Sequence, residues 1–424
     1  MSLIYSSLTS FINKLSDKFH ESFLFTFIFS ILRFIEDKWV NSFFINLYPS
    51  ENFLSFLNKI TILKRYFFHP IIVIFLFSLF LLLSINSPSF SLAITLIIGF
   101  TGFIIGCIVL PKYVPTYNII NFNPKDIYSI GFCLILVSIV FFFISIASVG
   151  GIPLLKPSIR YLLKPAFTMP VFLIIPGTCL VASKYLNDFQ VKKITRSQAR
   201  FRFLFLLMIN CAFLLLLGYR TPLLASFLII IIIGFCGNIV SLWEVVVGGL
   251  LGIGAIVGIG YFRSLGEMTI TSSTSPIYTL QSRADFTLHV LNLLDFLGGN
   301  FGLTHGKLLL SSIPGSDLGP RMMVGKLIAW RSEVTVTPTL IGQMVIDFGK
   351  VGVFVEMCLL GFILGIGFKI IKNTQNFLYI GIYSLILTYS ILGIETGILD
   401  IQVIIYFIIA IFIYFVIIKR SYFN

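Results

Sequence analysis

The sequence predicts an all-α polytopic integral membrane protein with about ten (10–11) transmembrane helices and one large outward-facing loop. Three observations carry this prediction. Hydrophobic residues make up 57% of the 424-residue chain and charged residues only 11%, where a soluble domain carries roughly a quarter charged residues; mean hydropathy is +1.01. Apolar runs near the ~20 residues that cross a bilayer recur from position 69 onward, joined mostly by short polar connections. Only helices and closed barrels satisfy their backbone polar groups in lipid, and the alternating segments of ~10 residues that mark a barrel are missing. A water-soluble globular enzyme is excluded.

Taken in order, spans are expected at about 69–86, 89–110, 127–148, 166–186, 203–218, 222–240, 244–262, 351–370, 376–394 and 399–418. The net charge of +13 is first a question of sidedness, not a sign of nucleic-acid binding. The 187–202 connection carries Lys192, Lys193, Arg196, Arg200 and Arg202, and Lys59, Lys64, Arg65, Lys369, Lys372, Lys419 and Arg420 fall on the same side of the ten-span arrangement. By the positive-inside rule that side is cytoplasmic. The chain then sits in the cytoplasmic (inner) membrane with both termini inside. Residues 1–68 read as a cytoplasmic or interfacial amphipathic segment, since apolar clusters such as 22–32 are broken by Arg33, Glu36, Asp37 and Lys38. An eleventh span there would flip the N-terminus. The remaining organisation is spans one to seven over 69–262, the large external loop with short helices over 263–350, and spans eight to ten with a cytoplasmic tail over 351–424.

Cys107, Cys133, Cys179, Cys211, Cys236 and Cys358 all lie in apolar stretches. That placement matches neither a disulfide framework nor zinc-ligand spacing, and it makes them small hydrophobes.

Loops as long as the external one are usually functional. Within it, residues 282–299 read as a helix, with Ser282 and Asp285 as a capping box and Gly298–Gly299 as a stop. The outer side holds Lys156, Arg160, Lys164, Arg220, Arg263, Arg283, Lys307, Arg321, Lys326, Arg331 and Lys350, of which six are Arg. An outward Arg runs against the positive-inside bias, and Arg grips phosphate or carboxylate in a planar, bidentate way. Arg220 in GYRTP and Arg263 in YFRS sit at helix mouths, and Arg160 ends the Gly/Pro-shaped re-entrant or surface loop GGIPLLKPSIR. Any one of them can snorkel to headgroups or pair with an acid; several at helix mouths on one side point to an anionic ligand.

The acid–base candidates on that side are His305 in GLTHGK and the pair Asp285 and His289, one helical turn apart. Glu267, Asp295, Asp317, Glu333 and Asp347 complete the set. Gly-x-Ser-x-Gly, His-Glu-x-x-His, Walker and dinucleotide patterns are absent. So is an Asp-x-Asp metal–nucleotide motif, and no cofactor or metal is expected.

GGIPLL…R (150–160), GYRTPLL (218–224), YFRS (261–264), the long loop with SRADF (282–286) and TPTLIGQMVIDFGKVG (337–352) occur in an order that resembles the oligosaccharide repeat unit polymerases, the O-antigen (Wzy-type) polymerase family. The resemblance runs over about 69–420. Relatives carry an Ile-Pro-Arg-like turn in the outer loop, where this chain has IPGSDLGPR (313–321).

The resemblance implies a metal-independent glycosyltransferase of the outer membrane face. Its donor and acceptor would be polyprenyl-diphosphate-linked oligosaccharides held in the lipid bilayer, with a chain-length regulator as a further partner. It assigns Arg160, Arg220 and Arg263 to the diphosphate, supported by Arg283 and Arg331, and His305 or the Asp285–His289 pair as base. The alternatives are an O-antigen-type ligase and a lipid-linked oligosaccharide transporter (flippase). A flippase needs ionisable groups near the bilayer centre, and this sequence offers mainly Glu356 there.

Overall fold

The computed structural model describes residues 30, 66–115, 123–155, 159, 162–267, 276–313, 316, 318–329, 335–398, 403–409 and 411. Almost all of the expected segment 1–68, and with it the stretch at 22–32, lies outside the described residues. Every regular element among those described is helical. In chain order they are α1 (Ile72–Leu82), α2 (Phe90–Tyr113), α3 (Pro124–Val149), α4 (Pro165–Gln190), α5 (Arg196–Leu216) and α6 (Arg220–Cys236). Next come α7 (Leu242–Glu267), α8 (Pro276–Gly298), α9 (Lys307–Ser311), α10 (Pro320–Ala329), α11 (Thr339–Thr374) and α12 (Phe377–Thr396). Six of them, α2, α3, α4, α5, α11 and α12, are long and apolar enough to cross a membrane. Three shorter apolar helices, α1, α6 and Leu242–Gly252 of α7, fall where the sequence predicts further spans. The protein is an all-helical, polytopic membrane protein.

Local chemistry explains where many helices begin. Ser89 accepts from the Leu92 N–H at the head of α2, and Asn123 accepts from Lys125 ahead of Pro124 at the first turn of α3. Thr195 and Gln198 form a reciprocal capping box on α5.

Packing between helices relies on close backbone approach, because lipid tails compete with Leu and Phe for apolar contact. α2 and α11 meet along a glycine seam. A Cβ on Gly106 would lie 2.1 Å from the Cys358 carbonyl oxygen, and one on Gly361 would lie 2.4 Å from that of Phe103. α4 and α12 are the most deeply buried spans, and inside the bundle Asn210 Nδ2 donates to Thr178 Oγ1 at 2.7 Å. All six cysteines are free and are buried or half-buried within it.

The helix ends sort into two groups. At one, Lys369 Nζ donates to the Pro111 and Val114 carbonyls, both at 2.8 Å, Arg196 and Arg200 donate to the Ile239 carbonyl, and Arg200 pairs with Glu244 at 2.8 Å. This is the end rich in Lys and Arg. The opposite end carries α8, α9 and α10.

Two elements differ from the sequence-based expectation. α8 begins at Pro276, six residues before Ser282, so the expected capping box does not form there. Proline fits a first helical turn because its missing N–H has no partner to lose, and Asp285 is drawn to a different part of the chain. α8 ends at Gly298, followed by Gly299 at φ 55°. α11 begins at Thr339 instead of 351, and at 36 residues it would be ~54 Å long as one straight rod, against a hydrocarbon core of ~30 Å. It is interrupted at Gly349, which has φ 63° and ψ −153°.

Replacing Gly349 by Ala should therefore be costly. Only glycine adopts that backbone conformation freely, and an added Cβ would lie 2.3 Å from the Asn300 backbone. We expect Gly349→Ala to cost about 1–3 kcal/mol from backbone strain alone, read as a lower thermal midpoint in detergent, with Gly319→Ala, where a Cβ meets open space, near neutral.

Candidate functional site

The loop end is organised by two carboxylates. Asp285, on α8, reaches the turn between α1 and α2. Its Oδ1 accepts from Ser84 Oγ at 2.6 Å, from the Ile85 N–H at 2.8 Å and from the Asn86 N–H at 3.4 Å. Two turns on, Asn292 accepts from the Ser89 N–H at 2.9 Å, and buried Asp295 accepts from Thr95 Oγ1 at 2.6 Å. One side of α8 is thus laid against the start of α2 by polar contacts, with Leu288 and Leu291 buried among them. Hydrogen bonds from Ser84, and then from Ile85 and Asn86, hold the Asp285 carboxyl below the usual aspartate range.

Asp347 organises the second half. It is fully buried, two residues before the break at Gly349. Its carboxylate accepts from Thr304 Oγ1, from the Leu308 N–H at 3.0 Å and from the Leu309 N–H at 2.8 Å. It thereby satisfies two of the unpaired donors at the start of α9. The backbone joins in. The Leu303 and Thr304 N–H groups donate to the Ile346 carbonyl at 2.7 and 3.1 Å, and the His305 N–H donates to the Asp347 carbonyl at 3.0 Å. A continuous helix would pair those carbonyls with the N–H groups of Lys350 and Val351; the break at Gly349 leaves them to the loop.

His305 lies in this clasped loop at φ 48°, a left-handed value unusual for a non-glycine residue, with its side chain exposed. His289 is exposed on α8, and among the described residues it is not hydrogen-bonded to Asp285, whose Oδ1 faces the 84–86 turn. Arg283 pairs with Glu395 at the end of α12, at 3.3 Å, and both side chains are largely exposed.

Arg220 opens α6 and is half-buried. The turn before it holds Gly218 at φ 75°, and Tyr219 packs edge-on against Phe172 with ring centres 5.1 Å apart. The Leu154 N–H donates to the Leu216 carbonyl at 3.1 Å, so the GGIPLL segment abuts the turn that carries Arg220. Arg263 falls in the last turns of α7. Arg160 and Arg331 lie outside the described residues, as do Asp317 and Glu333.

Sequence reasoning passed over Ser84, Thr95 and Asn292. They are ordinary polar residues, and nothing marks them until α8 is laid across α2. Asp347 carries a signal, an acid inside the apolar run TLIGQMVIDFG. Glu356 carries the same signal, and its two carboxylate oxygens are buried with no hydrogen-bond partner among the described residues. Among those residues no cluster of three metal-ligating side chains occurs.

The fold and this end define a polytopic membrane protein with a structured helical lobe over one mouth of its bundle. Residues 66–407 match the family described as "Putative O-antigen polymerase". The chain belongs to that family, and so to membrane glycan polymerisation and polysaccharide biosynthesis. It is also 28% identical over 292 residues to an uncharacterized protein of Methanocaldococcus jannaschii, covering 68% of this chain and 76% of that one. No solved structure matches.

Two outcomes follow from the carboxylates. Asp347→Ala strips a buried acceptor from three donors, and charged hydrogen bonds contribute about 1.5–3 kcal/mol each. Hydrogen exchange at Leu308 and Leu309 should speed up by at least an order of magnitude. For Asp285 the folded pKa is lowered from 3.8, so the contact stabilises the fold above that value and is lost as pH falls through the lower folded one. A thermal midpoint followed into acid should drop in the wild type and be flatter in Asp285→Asn.

Proposed function

We propose that this chain joins lipid-diphosphate-linked oligosaccharide repeat units into polymer on the outer face of the cytoplasmic membrane, with both termini inside. The observation that carries the reading is the family match over 66–407. The end of the bundle poor in Lys and Arg is then the outer end, and the α8–α10 lobe works there.

In the proposed reaction an acceptor sugar hydroxyl attacks the anomeric carbon of the donor glycan. The new glycosidic C–O bond forms as the bond to the diphosphate breaks, and the polyprenyl diphosphate leaves with the electron pair. Arg160, Arg220 and Arg263 hold that diphosphate and stabilise the charge it gains, which is electrostatic catalysis. Arg331 supports them. Arg283 joins by leaving Glu395; an exposed ion pair of this kind is worth only about 0–1 kcal/mol, so the exchange is inexpensive.

His305 takes the hydroxyl proton. Its backbone is fixed through Asp347 while its side chain is exposed, the combination a base needs to meet a sugar arriving from outside. His289 is the alternative base, and Asp285, engaged by the 84–86 turn, acts by fixing the helix that carries His289. The scheme uses no metal or cofactor. Its partners are the lipid-linked donor and acceptor, the bilayer, and a regulator of chain length.

The test is a gel of surface glycan from cells with the gene, without it, and with variants. Deletion should collapse long chains to single repeat units. Arg220→Ala and Arg263→Ala should each cut polymer formation roughly 10- to 150-fold at unchanged membrane level, the equivalent of one charged contact of about 1.5–3 kcal/mol. Lys at either position should rescue poorly, because a point charge does not reproduce a bidentate grip. Wild-type ladders in both Ala variants would sink the proposed site. Polymer that accumulates on its carrier lipid after deletion would instead make the chain a ligase, and repeat units trapped inside would make it a transporter.

A further inference from the structure

The exposed surface changes character along the loop lobe. Over the first part of α8 it mixes Ser282, Arg283 and His289 with two large apolar residues, Tyr278 and Phe286. From 296 to 313 the large exposed side chains are Phe296 (83% exposed), Leu297, Phe301 (79%), Leu303, Leu310 and Ile313. The same stretch has no acidic residue, and its charged or titratable members are His305 and Lys307. Six large apolar side chains left outside the core within 18 residues exceed the scattered exposure of an ordinary wet surface.

Its depth can be read from α11. The 299–306 loop is tied to residues 346–349 by the Leu303, Thr304 and His305 backbone bonds, and the Gly349 Cα lies close against the Asn300 backbone. The side of α11 left open to lipid begins at that level and runs inward through Phe348, Val351, Val355, Leu359 and Ile363. At the opposite end Lys369 caps the Pro111 and Val114 carbonyls. From Lys369 back to Gly349 is 20 residues, or about 30 Å of helix, the thickness of the hydrocarbon core. The loop tip therefore stands at the far hydrocarbon boundary, continuous with a lipid-facing stripe.

We propose that the tip formed by residues 296–313 is seated in the adjoining leaflet of the bilayer as an interfacial wedge. Phe296, Phe301, Leu303 and Leu310 would enter the acyl region, with His305 and Lys307 at the level of the anionic lipid phosphates. An apolar surface edged by cations with no carboxylate is the composition that binds an anionic membrane surface in this way. A second copy of the chain would have to cover the tip while leaving the α11 stripe to lipid, and two tips brought together would set like charges against each other, since 296–313 carries Lys307 and no acid. The inference is independent of the polymerase reading. If both hold, His305 works at the depth where a lipid diphosphate lies, and the substrate reaches it by lateral diffusion.

The experiment places single tryptophans in the full chain, Phe301→Trp and Leu310→Trp, against the background of its own three Trp. Lys326→Trp, at an exposed position on α10, is the control. Each variant is reconstituted in phosphatidylethanolamine and phosphatidylglycerol vesicles, with part of the lipid replaced by forms brominated near the glycerol end or near the tail end of the acyl chain. The added emission at 301 and 310 should be blue-shifted, should lose its larger part to the glycerol-end bromines and less to the tail-end ones, and should resist aqueous acrylamide. At 326 it should respond to acrylamide and ignore bromine. Acrylamide quenching without bromine quenching at both 301 and 310 would overturn the proposal in favour of a tip in water. Emission shielded from both quenchers, and changing with protein-to-lipid ratio, would overturn it in favour of a second copy.

Discussion

A helix that crosses a bilayer must pair its own backbone groups, because hydrocarbon offers no substitute. α11 departs from this at one place. At Gly349 its backbone leaves the helical region, and the carbonyls of Ile346 and Asp347 become acceptors for something else. What they accept is the loop from Leu303 to His305. The break costs little only because those N–H groups arrive, and the loop has a fixed path only because the break is there. Neither conformation is self-sufficient. The close approach of Gly349 to the Asn300 backbone leaves no room for a side chain there, and the buried Asp347 carboxylate then extends the same clasp to the start of α9.

The rest of the lobe follows from that anchor. α8 leads directly into the clasped loop; it buries Leu291 and Leu294 against α11, and Asp285, Asn292 and Asp295 add polar contacts to the 84–86 turn and the start of α2. Polar contacts are suited to this place. At the membrane boundary a purely apolar helix face would compete with lipid and gain little specificity, whereas a carboxylate that accepts from Ser84, Ile85 and Asn86 has one geometry in which all are satisfied. α2 also carries the glycine seam against α11. The two helices that hold the lobe through these contacts are therefore locked to each other below it.

The class of fold was legible in the sequence because its signal is collective. Apolar runs of membrane length survive errors of several residues at each end, and α2, α3, α4, α5, α11 and α12 all fall on expected spans. The loop was less legible. Ser282 and Asp285 have the spacing of a capping box, yet α8 already runs through them from Pro276, because the polar stretch before Ser282 looks like coil until its tertiary neighbours are present. The spacing of Asp285 to His289 suggests an acid–base pair; the main partners of Asp285 are about 200 positions away, at 84–86, and no local pattern encodes them. Gly349 was visible only as part of a family-like segment, since a glycine that breaks a helix and one that packs in it look alike in sequence. The turn at Arg220 was readable, being built from local glycine, aromatic and proline chemistry.

The contrast between buried and exposed polar groups at the loop end also bears on which residues are free to do chemistry. Asp295 and Asp347 are buried and bonded; displacing either would leave donors unpaired at a cost of about 1–3 kcal/mol apiece. His289 and His305 are exposed on a backbone that those carboxylates hold still, and Arg283 is held by an ion pair that water already weakens. A site that must receive a large, charged, lipid-tethered substrate needs side chains that move at little cost on a frame that does not move. The loop end has both, and the division falls between acids that hold the frame and the side chains of His289, His305 and Arg283, which face outward.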